Sequence, residues 1–446
     1  MPIINFLKSL YLNPRFFIGM GIGAVLFFIG YFWPFLIYFG RLTVLITVIM
    51  LLIDLWLLYR DKDGIFGIRH TPEKLSNGDE NLLQIHVSSR SSISLFLEII
   101  DELPFQFQLR DQSFRLNLRP HEQKIVQYRL RPTERGVYSF GAVNIFVESA
   151  IGFARRRYQF DNEQEVAVYP SYLQMHQYEL LAISNRLQEF GLKKIRRIGH
   201  SMEFEQIRDY VSGDDYRTIN WKATARRNDL MVNQFQDEKS QQIYSILDKG
   251  RVMKMPFEGM SLLDYAINAS LVISNIAIKK GDKAGLLSFS DKATNMLPAS
   301  RQSGQLRQIQ EALYKETTDF WESDYEKLYS LIHRQISRRS LLLLYTNFET
   351  LSALHRQLPF LRRIAQRHLL VVVFFENTEL KSLLEMPADT ITHTYQKIIA
   401  EKFAYEKRLI VKDLLAYGIQ SILTPPNMLT VNTINKYLEL KARGMI

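Results

Sequence analysis

The stretch 212–230, SGDDYRTINWKATARRNDL, places two adjacent carboxylates, a lone Trp and a run of cations within nineteen positions. Adjacent carboxylates can divide the work of acid and base in a hydrolysis, so Asp214 and Asp215 are the first candidates for chemistry. They lack partners: no Ser/His or Cys/His pairing is suggested, and no glycine-rich phosphate loop of Walker type occurs. The chain has no cysteine, which excludes disulfides, zinc–thiolate sites, iron–sulfur clusters and cysteine nucleophiles. Its nine His residues are scattered, and none are spaced to hold a metal from one helix face. The stretch therefore reads as architecture first and binding surface second. Asp214 or Asp215 is expected to cap a helix from Tyr216 to about Arg227, with Trp221 anchoring it against a sheet. Arg217 and Arg226 lie far enough apart to reach different carboxylates among Glu203, Glu205 and Asp209. The cations Arg217, Lys222, Arg226 and Arg227 form a candidate docking face.

These residues need elements to position them, and composition bounds the choices. With 446 residues, 47% apolar and 23% charged, the chain has room for two or three folded domains. A net charge of +10 suits an anionic membrane surface or an acidic partner, and is too diffuse to imply nucleic acid. From Phe16 to Gly40 there is no charge, and LTVLITVIMLLIDLWLLY follows Arg41, broken only by Asp54. Crossing a bilayer takes about 20 apolar residues, so 16–59 reads as two membrane-spanning helices. The turn is expected between Trp33 and Arg41, with Pro34 and Gly40 as breakers. A signal peptide would need a short apolar region and a small-residue cleavage site, and neither is present. Lys8, Arg15, Arg60, Lys62 and Arg69 flank the hairpin while Arg41 alone sits at its tip, which places both termini in the cytoplasm. Asp54, about one turn from the cytoplasmic end, is expected to reach the interface.

Four segments follow from the patterning: 1–63 the transmembrane hairpin, 64–170 a β-sandwich, 171–240 a helical linker with the stretch quoted above, and 241–446 an α/β domain with a C-terminal extension. In the second, LLQIHVSS, SLFLEII, FQFQL, FRLNL, KIVQYRL, VNIFVES and EVAVYP are short, often alternating and separated by turn residues. The linker ends in a basic knot of Lys193, Lys194, Arg196 and Arg197, a solvated face or a contact for anionic lipid. Beyond 240, IYSILD, AGLLSF, SLLLLYT and HLLVVVFF are continuous apolar runs between helical stretches at 261–279, 303–316, 324–338 and 350–366. That alternation predicts a largely parallel sheet covered on both faces, with sites at the carboxyl ends of its strands. Asp248 and the Thr346–Asn347 pair fall at two such ends.

The span 196–253 carries Gly199–His200, Glu203–Phe204, Arg208 and Tyr210, Gly213 to Asp215, Arg217, Ile219, Trp221, Ala223, Ala225–Arg226 and Asp248 to Met253 in order. This pattern strongly resembles the bacterial "domain of unknown function 58" family. The resemblance implies a membrane-anchored protein with a von Willebrand factor A-like domain of Rossmann-like build, and MoxR-type AAA+ ATPases as company; no reaction is implied. Glu203, Arg208, Gly213, Asp214, Asp215 and Trp221 are its signature framework. A-domains hold Mg²⁺ through Asp-x-Ser-x-Ser, a Thr and a second Asp. Here Asp248 is followed by Gly250 and Val252 where hydroxyls would stand, Asn347 replaces the second Asp, and Lys249 and Arg251 add like charge. The metal position is thus degenerate, no cofactor is expected, and Asp248 should pair with Arg251 or cap the next segment. Two functions follow as expectations. The first is a non-enzymatic membrane adaptor that binds a cytoplasmic protein, of MoxR-type ATPase class. The second is a metal-dependent binder or hydrolase using Asp248, Asp264, Ser288 or Asn347.

Overall fold

The computed structural model describes residues 2–61, 64–109, 112–160, 163–183, 203–212, 214–236, 240–291, 294–318, 320–378, 380, 384 and 390–446. The chain divides into two compact units, Met1–Tyr169 and Pro170–Ile446.

The first unit opens with α1 (Pro2–Ser9), β1 (Leu10–Leu12), α2 (Pro14–Gly30) and α3 (Phe35–Tyr59). With 25 residues and a mean hydropathy of 2.4, α3 is long and apolar enough to cross a bilayer; α2 is apolar and shorter. These helices suggest membrane association. Glycines let the two helices touch: a Cβ on Gly23 would stand 2.7 Å from Val44, and one on Gly30 would stand 2.8 Å from Ile37. The chain turns at Tyr31–Pro34, so Gly40 is not the expected breaker. It lies inside α3, buried under the Phe27 ring, where packing outweighs the roughly 1 kcal/mol that glycine costs a helix.

Strands β2 (Ile65–His70), β3 (Lys74–Ser76), β4 (Asn81–Ser89), β5 (Leu95–Asp101), β6 (Ser113–Leu118), β7 (Gln123–Leu130), β8 (Gly136–Phe140), β9 (Val143–Glu148), β10 (Ala154–Phe160) and β11 (Gln164–Tyr169) complete the unit. They form sheets ordered β1-β10-β9-β5-β6, β2-β4-β7 and β3-β11-β8 around one core that includes Leu83, Ile85, Ile99, Phe140 and Ile145. FQFQL is not a strand. Phe105–Phe107 makes a 3₁₀ turn after Pro104 and ends at Gln108 in the left-handed region. Conversely β10, ARRRYQF, is too charged to read as a strand, but its Arg155 pairs with Glu98 of β5 at 3.0 Å.

Asp54 does not reach an interface. Fully buried, it accepts from the Ser149 hydroxyl and from the backbone N–H groups of Phe153 (2.7 Å) and Ala154 (2.8 Å). Arg156 of β10 donates to the carbonyls of Leu58 (2.8 Å) and Asp61 (2.9 Å), closing the C-terminal end of α3. Asn13, before α2, donates to Gly152 O at 3.1 Å. Both apolar helices are thereby fastened to the β9–β10 turn.

In the second unit α4 (Tyr172–Ile183) precedes an arm of β12 (Glu203–Asp209), α5 (Trp221–Arg227) and β13 (Met231–Gln236). Then come β14 (Gln242–Asp248), the short pair β15 (Pro256–Phe257) and β16 (Met260–Ser261), α6 (Leu262–Lys279), β17 (Lys283–Phe289), β18 (Thr294–Ser300), α7 (Gln305–Lys315) and α8 (Tyr325–Gln335). The unit closes with β19 (Leu341–Tyr345), α9 (Leu351–Arg367), β20 (Leu369–Phe375), α10 (Ile391–Ala416), β21 (Gln420–Thr424) and α11 (Leu429–Ala442). The sheet order is β18-β17-β14-β19-β20-β21, parallel except for β18 at one edge. Residues of α6, α7 and α11 cover one face and those of α8, α9 and α10 the other, so β14, β17, β19 and β20 are buried on both sides. Although α6 is apolar, it is buried here as a core helix. Its N-terminus is a capping box between Ser261 and Asp264, which gives Asp264 a capping role.

Candidate functional site at the carboxyl ends of the strands

Chain order reverses between β14 and β19, and crevices form at the carboxyl ends of strands on either side of such a reversal. Asp248 ends β14 there and Thr346 follows β19. The Asp248 carboxylate accepts from the Thr346 hydroxyl (2.6 Å), the Ser323 hydroxyl, the Tyr325 hydroxyl (3.2 Å) and the Gly250 N–H (2.8 Å). Burial raises its carboxyl above the ordinary range, and these four donors pull the other way. Burial, then the charge of Asp248, pushes Tyr325 well above the usual tyrosine value. A cavity of about 200 Å³ opens beside the cluster. Three hydroxyls thus surround the carboxylate, none from the positions where Gly250 and Val252 stand. Neither expected pairing forms: Asp248 closes a tight turn on the Gly250 N–H, the 3₁₀ segment Arg251–Met253 has no side-chain cap, and Arg251 turns to Glu322 at 2.7 Å.

A Mg²⁺ ion needs six oxygens close to an octahedron. The residues present do not fit it. Both oxygens of Asp248 already accept hydrogen bonds, and Asn347 Oδ1 accepts from Lys407 Nζ at 2.6 Å. Ser288 is drawn elsewhere, donating to Glu316 at 2.6 Å beside the buried Lys249–Glu316 ion pair at 3.0 Å. Among the described residues no group of three or more His, Asp or Glu side chains could hold a metal.

Of the signature residues, Arg208, Asp214, Asp215 and Trp221 lie along the arm. Arg208 grips Asp214 through two hydrogen bonds of 2.8 and 2.6 Å, and Asp214 also accepts from Val211 N at 2.9 Å. The Arg208 guanidinium, then that N–H, holds the Asp214 carboxyl below the ordinary range. Asp214 is therefore a clamp on the turn and not a helix cap, and Asp215 accepts from Thr218 N through its backbone carbonyl. The helix starts at Trp221, later than expected, because a 3₁₀ turn occupies Tyr216–Thr218 and Asn220 supplies the cap, accepting from Ala223 N at 3.0 Å. Trp221 is no anchor: it is 69% exposed, as is Tyr216. The contacts to β13 are made instead by Thr224, whose hydroxyl accepts from Met231 N, and by Asn220, which donates to Asn233 at 2.8 Å. Lys222, Arg226 and Arg227 are exposed, and Arg227 lies 3.8 Å from Asp209. Gly199–His200, the basic knot at 193–197 and Gly213 lie outside the described residues, as do the side chains of Glu203, Glu205 and Arg217.

The second unit is thus a doubly wound α/β fold with a polar cluster at its switch point and a signature arm that exposes aromatics. Residues 206–387 match the family described as "Protein of unknown function DUF58". Over 175 residues, 39% of this chain, the sequence is 29% identical to "Uncharacterized protein YeaD" of Bacillus subtilis (strain 168), spanning 41% of that protein. Among solved structures, the CARDB domain of the PF1109 protein from Pyrococcus furiosus aligns over 24% of this chain and 93% of its own, at 16% identity and a TM-score of 0.17. The PapD-like domain of human CEP192 aligns over 24% of this chain and 86% of its own, at 9% identity and a TM-score of 0.18.

Proposed function

We propose that this chain is a non-enzymatic, membrane-anchored adaptor that binds a cytoplasmic protein through its signature arm, with a MoxR-type AAA+ ATPase as the partner class the family resemblance favours. In this reading α2 and α3 cross the inner membrane as a hairpin and the α/β fold is of von Willebrand factor A type. The observation that carries it is the exposure of Trp221 and Tyr216 beside Lys222, Arg226 and Arg227 on an arm whose turn is closed by the Arg208–Asp214 pair. Large aromatics beside cations are the composition of binding hot spots, and Trp and Arg dominate them. A buried carboxylate whose two oxygens are both taken up by hydrogen bonds from hydroxyls and a backbone N–H supports a structural role for Asp248.

The test is Trp221→Ala in full-length protein purified from membranes. Because the side chain is exposed, its melting curve should match wild type to within about 0.5 kcal/mol. Capture of purified MoxR-type ATPase should fall at least tenfold. Undiminished capture would sink the reading; so would a large loss of stability, since Trp221 would then be framework.

A further inference from the structure

Beyond the switch point, the carboxyl ends of β20 and β21 and the inner side of α10 enclose a second crevice of about 540 Å³, within the range of ordinary ligand pockets. Its walls are mostly apolar, with Met255, Phe257, Phe375, Phe403, Leu423 and Pro426 among them. Set in this lining is Lys407 of α10, only 9% exposed. An ammonium has three donors. Here Nζ donates to Asn347 Oδ1 at 2.6 Å and lies 5.6 Å from the Phe374 ring centroid. Among the described residues no carboxylate comes within ion-pair distance of it; Glu349, also in the lining, acts only from farther off. Taking an ammonium out of water is unfavourable unless an anion compensates it. Arg408 adds a second cation to the lining and Glu376 a further acid.

The crevice does not stop at its mouth. Phe403 belongs both to its lining and to a stripe along α10 that continues through Ile399, Ile398 and Tyr395, all exposed. That spacing places them on one helix face. A compact molecule would use the pocket and leave the stripe bare, whereas an extended chain covers both.

We propose that this crevice binds an extended apolar peptide segment of a protein partner, with one Asp or Glu whose carboxylate pairs with Lys407. Apolar side chains of the segment fill the pocket and lie along the α10 stripe, and the carboxylate supplies the acceptors the ammonium lacks. The site is distinct from the signature arm and stands or falls separately from it.

The test uses full-length protein in lipid nanodiscs and dye-labelled pentapeptides Leu-Phe-X-Leu-Val, where X is Asp, Glu, Asn, Gln or Lys. Fluorescence anisotropy should show the acidic peptides binding at least tenfold tighter than their amide counterparts, and the Lys peptide weakest. Lys407→Met should erase the acidic preference and leave the amide peptides unchanged. Phe403→Ser, at the exposed rim, should weaken acidic and amide peptides alike by at least threefold, and Trp221→Ala should change neither. Equal affinity for acid and amide, an acidic preference that survives Lys407→Met, or no binding of any peptide would each overturn the proposal.

Discussion

At Lys407 a buried ammonium rests on a neutral amide oxygen, and desolvation draws its pKa from 10.5 down to about 8. The folded chain therefore gives up this proton before the unfolded chain does. Between about pH 8 and 10.5 the unfolded state binds more protons, so the burial cost, present in full below that window, is relieved as pH rises. Lys407→Met removes the titration. At pH 7 the variant should equal wild type or exceed it by up to about 3 kcal/mol. That margin should shrink steadily between pH 8 and 10. Denaturant midpoints of both proteins at each pH will show it, and a constant difference would mean that the amine is not buried. Asp248 shows the same physics with opposite chemistry: burial raises its carboxyl, and hydroxyls rather than a cation answer it.

Among the elements, α3 and the β9–β10 turn act as one piece because Asp54 satisfies two backbone N–H groups of that turn. Asp54→Ala would leave both donors buried without an acceptor, at a cost of about 2–5 kcal/mol. In detergent, the variant should melt well below wild type and expose the 149–154 turn to protease. A melt unchanged to within about 0.5 kcal/mol would show that water replaces the carboxylate. The arm is held differently. Its turn is closed by the Arg208–Asp214 fork and its short helix by Asn220, so polar geometry holds it and its aromatics remain outside.

For the whole molecule, the basic flanks of the apolar helices predict that both ends lie in the cytoplasm. A cytoplasm-active reporter fused after Ile446 should function, and protease added to intact spheroplasts should leave the α/β unit uncut; cleavage there would refute the orientation. Trp56 with Arg60 over its ring at 5.4 Å, and Tyr31 and Trp33 at the opposite turn, put exposed aromatics at both ends of the helix pair, where interfaces hold such residues.

What the sequence determined by itself was what neighbours along the chain determine. Continuous apolar runs such as SLLLLYT and HLLVVVFF became parallel strands, and the helices expected at 261–279 and 350–366 formed at 262–279 and 351–367. The long apolar stretches near the N-terminus became α2 and α3. Tertiary structure alone decided what each side chain would face. Ser323 and Thr346 reach Asp248 from 75 and 98 residues away, a distance no motif spans, so hydroxyls judged missing from Asp-x-Ser-x-Ser positions came from other strands and loops. Asn220 displaced the two aspartates as cap, and Asp54 turned inward, because partners become available only once the β13 and β9–β10 backbones are placed. Trp221 read as core because Trp usually is. It lies outside because the inner face of so short a helix was already taken by Thr224 and its bond to Met231.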